Sequence, residues 1–294
     1  MAEGFLQLVA DIGGTNARFG LVRTTGVPEA VRRLPLAEYE RFEDAVEIYL
    51  TIENQTVGSL TGMAIAAAGP VQAGTVSMTN ANWHLDQAAL SARFGGIPVR
   101  LMNDLAAVAY ALPSLSDRDL IEVVGKKPSS EPAPLLALNV GTGLGASIAI
   151  PAGGAWAIQA TEAGHMRLGA IGQQDLKNFG DLETFEDLLA GPGWQRFQRR
   201  QGHLPPGALA DLYSRVLGRF AGDLVLATGA WGGVYFCGGV MNNWDELVDP
   251  MVLLKSFADH GPMAALLETV PIYRITAEDP ALRGLATVIL PAFG

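Results

Sequence analysis

A chain of 294 residues, 49% hydrophobic and 17% charged, carries enough apolar material for a large core, and its length predicts two domains. The formal charge of -10 argues against nucleic acid or an anionic membrane as the main partner, since both want a basic surface; it leaves room for a small phosphate ligand held by backbone N–H groups. The single cysteine, Cys237, excludes an internal disulfide framework and a multi-cysteine zinc site, and its apolar neighbours make it a small buried hydrophobe.

The chain opens Met-Ala-Glu-Gly-Phe, with no basic segment ahead of an apolar stretch, so no signal peptide is expected. Phe5 to Ile12 is an apolar run, Gly13-Gly14-Thr15-Asn16 a turn, and Ala17 to Val22 a second strand. Glu43 to Tyr49 has helical character. Gly62 to Ala68 and Val99 to Met102 are short apolar strands; the second leads into a helix carrying Leu105, Val108, Ala109 and Leu112 at helical spacing. Pro113 ends that helix and marks a domain boundary. Lys126 to Pro134 is expected to be a polar hairpin tip. Leu135 to Ile150 then repeats the opening design: Asn139-Val140-Gly141-Thr142-Gly143 stands where Asp11-Ile12-Gly13-Gly14-Thr15 stood, and an apolar strand follows each, as if one supersecondary unit were used twice. Helices are expected over Glu183 to Ala190, Leu209 to Ala221 and Ala281 to Leu290, and strands over Val234 to Cys237 and Val270 to Ile275. Leu224 to Met241 carries no charge, but its five glycines divide it into a buried helix, a break and a buried strand rather than a membrane span.

The two glycine bends are the strongest chemical signal. A strand–glycine–strand bend aims several N–H groups at one spot with no side chain in the way of a phosphate, and Thr15 and Thr142 add hydroxyls. There is no P-loop pattern. Gly141, Gly143 and Ala146 have the spacing of a dinucleotide fingerprint, but a strand follows instead of a helix, which rejects it. A single bend is an ordinary hairpin turn; two matching bends, with Gly238-Gly239 after a third buried strand, point to a phosphate-bearing ligand. Asn103-Asp104 sits where a strand ends and a helix begins. Asp104 fits a helix N-cap and, equally, a base that accepts the proton of an attacking hydroxyl. Glu162 and His165 flank Ala163-Gly164 in a turn that could hydrogen-bond vicinal hydroxyls or simply face solvent; no cysteine or second histidine lies near enough for a metal site. Glu186 shares a helix with Glu183 and Asp187, the pattern of a solvated face, and that helix is expected to stop at Gly191-Pro192-Gly193. Thr79-Asn80-Ala81-Asn82-Trp83 joins amides to a ring, either a clamp for a polar ring-shaped ligand or a loop with one buried tryptophan.

In order and nearly end to end, these pieces resemble the bacterial ATP-dependent glucokinases of the hexokinase–actin-like ATPase superfamily. The matching segments include Asp11-Ile12-Gly13-Gly14-Thr15-Asn16-Ala17-Arg18, Met78-Thr79-Asn80 with Trp83, Asn103-Asp104-Leu105, Gly141-Thr142-Gly143-Leu144-Gly145, Glu162-Ala163-Gly164-His165, Gly191-Pro192-Gly193, Gly218 to Gly222, Gly232 to Gly239 and Asp279-Pro280. The resemblance implies an α/β, two-lobed actin-like ATPase (ribonuclease H-like) fold with a central cleft, a small domain over 1–113 with 279–294 and a large one over 114–278. It implies ATP and Mg²⁺ as cofactors, glucose or a close relative as substrate, a homodimer, a cytoplasmic location and a place in glycolysis. Asp104 would be the catalytic base; Asn80, Asn103, Asp104, Glu162, His165 and Glu186 would bind sugar hydroxyls. Asp11, Ile12, Gly13, Gly14, Thr15 and Asn16, with Gly141, Thr142 and Gly143, would hold ATP phosphates, Asp11 would face Mg²⁺ through water, and Gly238-Gly239 would lie near the adenosine. A related group of sugar kinases and repressors, the ROK family, carries a cysteine-rich zinc motif shortly after the histidine; Arg167 to Gly180 has no cysteine. The rivals are a sugar-sensing regulator without turnover, a polymerising actin-like ATPase, and a kinase for another hexose.

Overall fold

The computed structural model describes residues 5–24, 26–69, 71–78, 83–124, 131–168, 182–201 and 204–288. The chain forms two compact units, Met1–Ala111 with Asp279–Gly294, and Leu112–Glu278.

The first unit is built on a five-stranded sheet. In chain order its strands are β1 (Gln7–Ile12), β2 (Asn16–Val22), β3 (Pro28–Pro35) and β4 (Gly62–Ala67); a two-stranded hairpin, β5 (Thr75–Ser77) and β6 (His84–Asp86), precedes β7 (Val99–Asn103). The order across the sheet is β3-β2-β1-β4-β7. β1 is wholly buried, antiparallel to β2 and parallel to β4. Such a central strand is covered on both faces and must be largely apolar, and Gln-Leu-Val-Ala-Asp-Ile has only two polar residues, Gln7 and Asp11. Helices α1 (Phe42–Ile52), α2 (Gln87–Arg93) and α3 (Asp104–Ala111) complete the unit with a C-terminal helix, Pro280–Ala286. That last helix lies directly on α3: a methyl group on Gly284 would overlap the Ala107 carbonyl oxygen. The close approach anchors the chain's return to this unit. Phe19, Phe42 and Tyr49 stack at the centre of its core.

The second unit repeats the topology. Its strands are β8 (Leu120–Val124), β9 (Leu135–Val140), β10 (Leu144–Ala152), β11 (Ala155–Thr161), β12 (Gly233–Cys237) and β13 (Ile272–Ile275), in the order β11-β10-β9-β12-β13-β8. β9, β10 and β11 run antiparallel, and β12 and β13 join parallel to β9, as β4 and β7 join β1. β8 is an addition, antiparallel to β13. The duplication read from the two glycine bends is therefore a duplication of whole sheets. The long helix Pro206–Thr228 packs on helix Pro250–Ala258 through Gly218 and Gly222, where a methyl group would overlap backbone oxygens of Leu253 and Phe257.

Several expectations are corrected. β8 pairs with β13 and not with β9, so the segment before β9 is no hairpin tip; its residues 125–130 lie outside the described ones. Gly191-Pro192-Gly193 ends the short helix Phe185–Leu189 but also begins another, Gly191–Arg200, with proline in its first turn, where its missing N–H costs nothing. The edge strands β3 and β11 are largely exposed, so they lack the buried alternation that reveals a strand in sequence. The uncharged run from Leu224 does divide into helix, break and strand: Gly229, at φ 67, caps the long helix and β12 follows. Among the described residues no helix is long and apolar enough to cross a membrane.

Candidate active site

In the first unit the bend between β1 and β2 is closed by the Gly13 N–H donating to the Asn16 carbonyl at 3.0 Å, and the Asn16 amide donates to Thr15 Oγ1 at 2.9 Å. Neither Gly13 nor Gly14 has a positive φ, so the backbone does not demand glycine there. What glycine supplies is an uncovered main chain, the surface a phosphate needs. Thr15 is exposed beside it.

Next to the bend stands a buried carboxylate. A hairpin turning at Gly13–Thr15 pairs Asp11 with Arg18, and the Arg18 guanidinium donates to Asp11 Oδ2 at 3.0 Å. Arg18 Nε also lies 3.0 Å from Asp279 Oδ1, an ion pair in which the N–H is not aligned for a hydrogen bond. Burial pushes the Asp11 carboxyl up to about 6; Arg18 opposes the rise, and the negative charges of Asp104 and Asp279 add to it. Arg18 and Asp279 had no role assigned from sequence. The first was legible, because the hairpin register alone sets it opposite Asp11. Asp279 was not: it sits in the left-handed region at φ 46, at the head of the C-terminal helix, and only the fold brings it back to Arg18.

Asn103 ends β7 and Asp104 begins α3. The capping role falls to Asn103, whose Oδ1 accepts the Leu105 and Ala106 N–H groups at 3.0 and 3.4 Å while its amide donates to the Gly69 carbonyl at 3.1 Å. Asp104 accepts from Leu105 N–H at 2.8 Å. Burial holds its carboxyl above the usual carboxylate range, and the hydrogen bonds from nearby main chain and Asn103 counteract this. Trp83 is a core residue: it is buried, its indole N–H donates to the Tyr39 carbonyl at 3.2 Å, and its ring meets Phe42 edge-on. Asn80 lies outside the described residues.

The second unit gathers the other candidates around its own bend. Gly141 N–H donates to the Gly143 carbonyl at 2.9 Å, and the Gly141 carbonyl accepts from Gly191 N–H at 2.8 Å. The Gly141 bend adjoins Gly239, and Gly238, at φ 100, packs so tightly on Asn139 that a methyl group there would overlap Asn139 Oδ1. Glu186 is not on a solvated face. Its Oε2 accepts the Leu144 N–H at 2.9 Å, just past the bend, and its Oε1 is 3.9 Å from His165 Nδ1. The turn carrying Glu162 and His165 is pressed against the same place, since a methyl group on Gly164 would overlap the Leu144 carbonyl oxygen. The acidic neighbour Asp187 caps the helix instead, accepting from Thr184 Oγ1 at 2.9 Å. Gly141, Gly143, Glu162, His165, Glu186, Gly238 and Gly239 thus share one region of the second unit, with Glu162, His165 and Gly239 exposed.

Among the described residues no group of three or more His, Cys, Asp or Glu side chains forms a metal cage. In the first unit the Asp11 and Asp279 carboxylates share the Arg18 guanidinium, and the pKa of Asp11 is raised chiefly by its burial, with Asp104 and Asp279 adding to the rise.

A family model described as Glucokinase matches residues 8–199 and 206–291. Glucokinase of Chromobacterium violaceum is 32% identical, over 97% of this chain and 90% of its own, and glucokinase of Marinobacter nauticus is 32% identical over 98% of both. The crystal structure of a glucokinase from an Antarctic psychrotroph superposes with a TM-score of 0.81 at 26% identity, over 96% of this chain and 97% of that one. Matched from its first bend to its C-terminal helix, the chain belongs to the glucokinase family.

Proposed function

We propose that this chain transfers the γ-phosphoryl group of ATP to the 6-hydroxyl of glucose, yielding glucose 6-phosphate for glycolysis. The observation that carries this reading is Asp104: a half-buried carboxylate at the start of α3, where Asn103 takes the N-cap position, set in the same unit as the uncovered Gly13–Thr15 bend. Asp104 orients the sugar hydroxyl and takes its proton as the new O–P bond forms and the bond to the ADP oxygen breaks. Its raised pKa makes it a stronger base than a solvated aspartate. Asn103, Glu162, His165 and Glu186 fit the remaining sugar hydroxyls, and Asn80 joins them by family resemblance. Glu186 and His165 lie 3.9 Å apart, a spacing that lets neighbouring hydroxyls reach both.

Asp11, Ile12, Gly13, Gly14, Thr15 and Asn16 in one unit, and Gly141, Thr142 and Gly143 in the other, supply main-chain and hydroxyl donors for the phosphates; Gly238 and Gly239 receive the adenosine. Mg²⁺, arriving on the nucleotide with Asp11 facing it through water, would neutralise charge on the transferring group. Homodimerisation and a cytoplasmic location, where ATP is supplied, complete the reading by family resemblance.

The test is a panel of glucose, mannose, fructose and N-acetylglucosamine with ATP, scored by ADP release. The highest kcat/KM is expected for glucose. ADP release indifferent to sugar would overturn the reading in favour of a plain ATPase.

A further inference from the structure

β13 carries a cation that none of the roles above uses. Arg274 stands opposite Phe236 of β12 and is half-buried. Its NH1 donates to the Met241 carbonyl at 3.3 Å, and its guanidinium lies over the Trp244 ring, 5.3 Å from the centroid. Trp244 is itself buried against Phe236. Met241 and Trp244 belong to the turn that follows Gly238, and the Met241 N–H donates back to the Gly238 carbonyl at 3.0 Å. The turn is therefore held at two ends. At one, Gly238 sits against Asn139, beside the Gly141 bend. At the other, Arg274 grips a carbonyl and a ring. Between them Gly239 is exposed, with nothing within 4 Å of where a Cβ would lie. The partners of Arg274 are thus a neutral carbonyl and a ring, both beside a turn read as receiving an anionic nucleotide.

We propose that Arg274 is a positioning residue for nucleotide binding: from the far side of the Gly238–Asn243 turn it fixes the Gly238-Gly239 main chain in the shape that accepts ATP. This rests on the assignment of Gly238-Gly239 to the nucleotide. A carbonyl hydrogen bond from a charged donor and a partly desolvated cation–π contact are each modest, and losing both loosens the turn without unfolding β13. The cost falls on ATP, because none of the described residues assigned to the sugar or the proton belongs to the Gly238–Asn243 turn or contacts Arg274.

The experiment is steady-state kinetics of Arg274→Ala, Arg274→Lys and Gly239→Val, with ATP and glucose varied separately and ADP binding measured by calorimetry. Arg274→Ala is expected to raise KM for ATP and Kd for ADP about five- to tenfold, with KM for glucose and kcat at saturating ATP within about twofold. Arg274→Lys keeps a cation but loses the guanidinium's planar stack and reach, and is expected to show a two- to threefold rise, which also serves if the alanine variant does not fold. Gly239→Val, placed in open space, tests the underlying assignment by obstructing the turn. If Gly239→Val weakens ATP while both Arg274 variants leave it unchanged, the proposal is wrong and the assignment stands. If none of the three moves KM for ATP, the assignment falls and the proposal with it. Equal rises in KM for glucose and ATP in the Arg274 variants would mark a merely structural residue and overturn it as well.

Discussion

Asp104 and Asp11 are both aspartates lifted by burial, and they make opposite demands on pH. Asp104 must be a carboxylate to accept a proton, and burial raises its pKa above the ordinary range. The acid limb of kcat/KM is accordingly expected above the usual carboxylate pKa of about 4, and a profile flat down to that pH would remove Asp104 as base. Asp104→Asn should keep the fold and sugar binding while kcat drops about 10²–10⁴-fold; near-normal turnover would count equally against it. For Asp11 the consequence is stability. Its carboxyl rises from 3.8 in the unfolded chain to about 6 in the fold, so between those values the folded protein holds the extra proton. Stability from this group is present at acid pH and lost as pH rises through the folded pKa. Asp11→Asn cannot ionise, so relative to the parent it should gain roughly 2–3 kcal/mol between pH 4 and pH 7, read by urea unfolding in metal-free buffer. A difference that stays constant across that range would mean Asp11 titrates normally. Asp104 could be picked out of the sequence because a strand end followed by a helix start is a local pattern. That Asn103 and not Asp104 takes the N-cap position was not legible, since both are good N-caps and only the geometry of α3 chooses between them.

The elements that position these residues are joined at glycines chosen for close approach rather than for turning. The C-terminal helix rests on α3, the helix of Asp104, through Gly284. A methyl group there meets main chain, which cannot rotate away. Gly284→Ala is therefore expected to cost about 3 kcal/mol or more and to lower kcat by displacing α3, measured by denaturant midpoint and turnover together. Gly207→Ala, in a helix and with nothing within 4 Å, is the control and should be neutral or stabilising by up to about 1 kcal/mol. An unaffected Gly284→Ala would show that the two helices do not touch as described. In sequence Gly284 is an unremarked glycine inside a short helix, because nothing local distinguishes a packing glycine from a tolerated one. The glycine bends behave differently. Strand, bend and strand are consecutive, and their pattern repeats, so both bends can be read from the sequence. Glu186 lay on the other side of this divide: its neighbours Glu183 and Asp187 gave it the look of a solvated face, whereas tertiary packing sets it on the Leu144 N–H beside His165.

Across the whole molecule, the residues that the proposed reaction needs are divided between two units with separate cores. Asp11 and Asp104 belong to one; Glu162, His165, Glu186 and the Gly141 bend belong to the other. If they serve one reaction, glucose and a non-hydrolysable ATP analogue together should raise Tm by more than the sum of their separate shifts, and strict additivity would mean that the ligands are bound independently. The amino-acid sequence by itself determined the parts whose causes are local: buried β1 and β9, the uncovered bends after them, the break at Gly229, the strand-to-helix junction at Asp104, and the repetition that shows one design used twice. Tertiary structure alone decided which distant parts meet. The Arg18–Asp279 ion pair, the carboxylate of Glu186 on a backbone amide 42 residues away and the seat of the C-terminal helix all depend on contacts between segments far apart in the chain. A periodic pattern records which face of a segment is buried, and not what buries it.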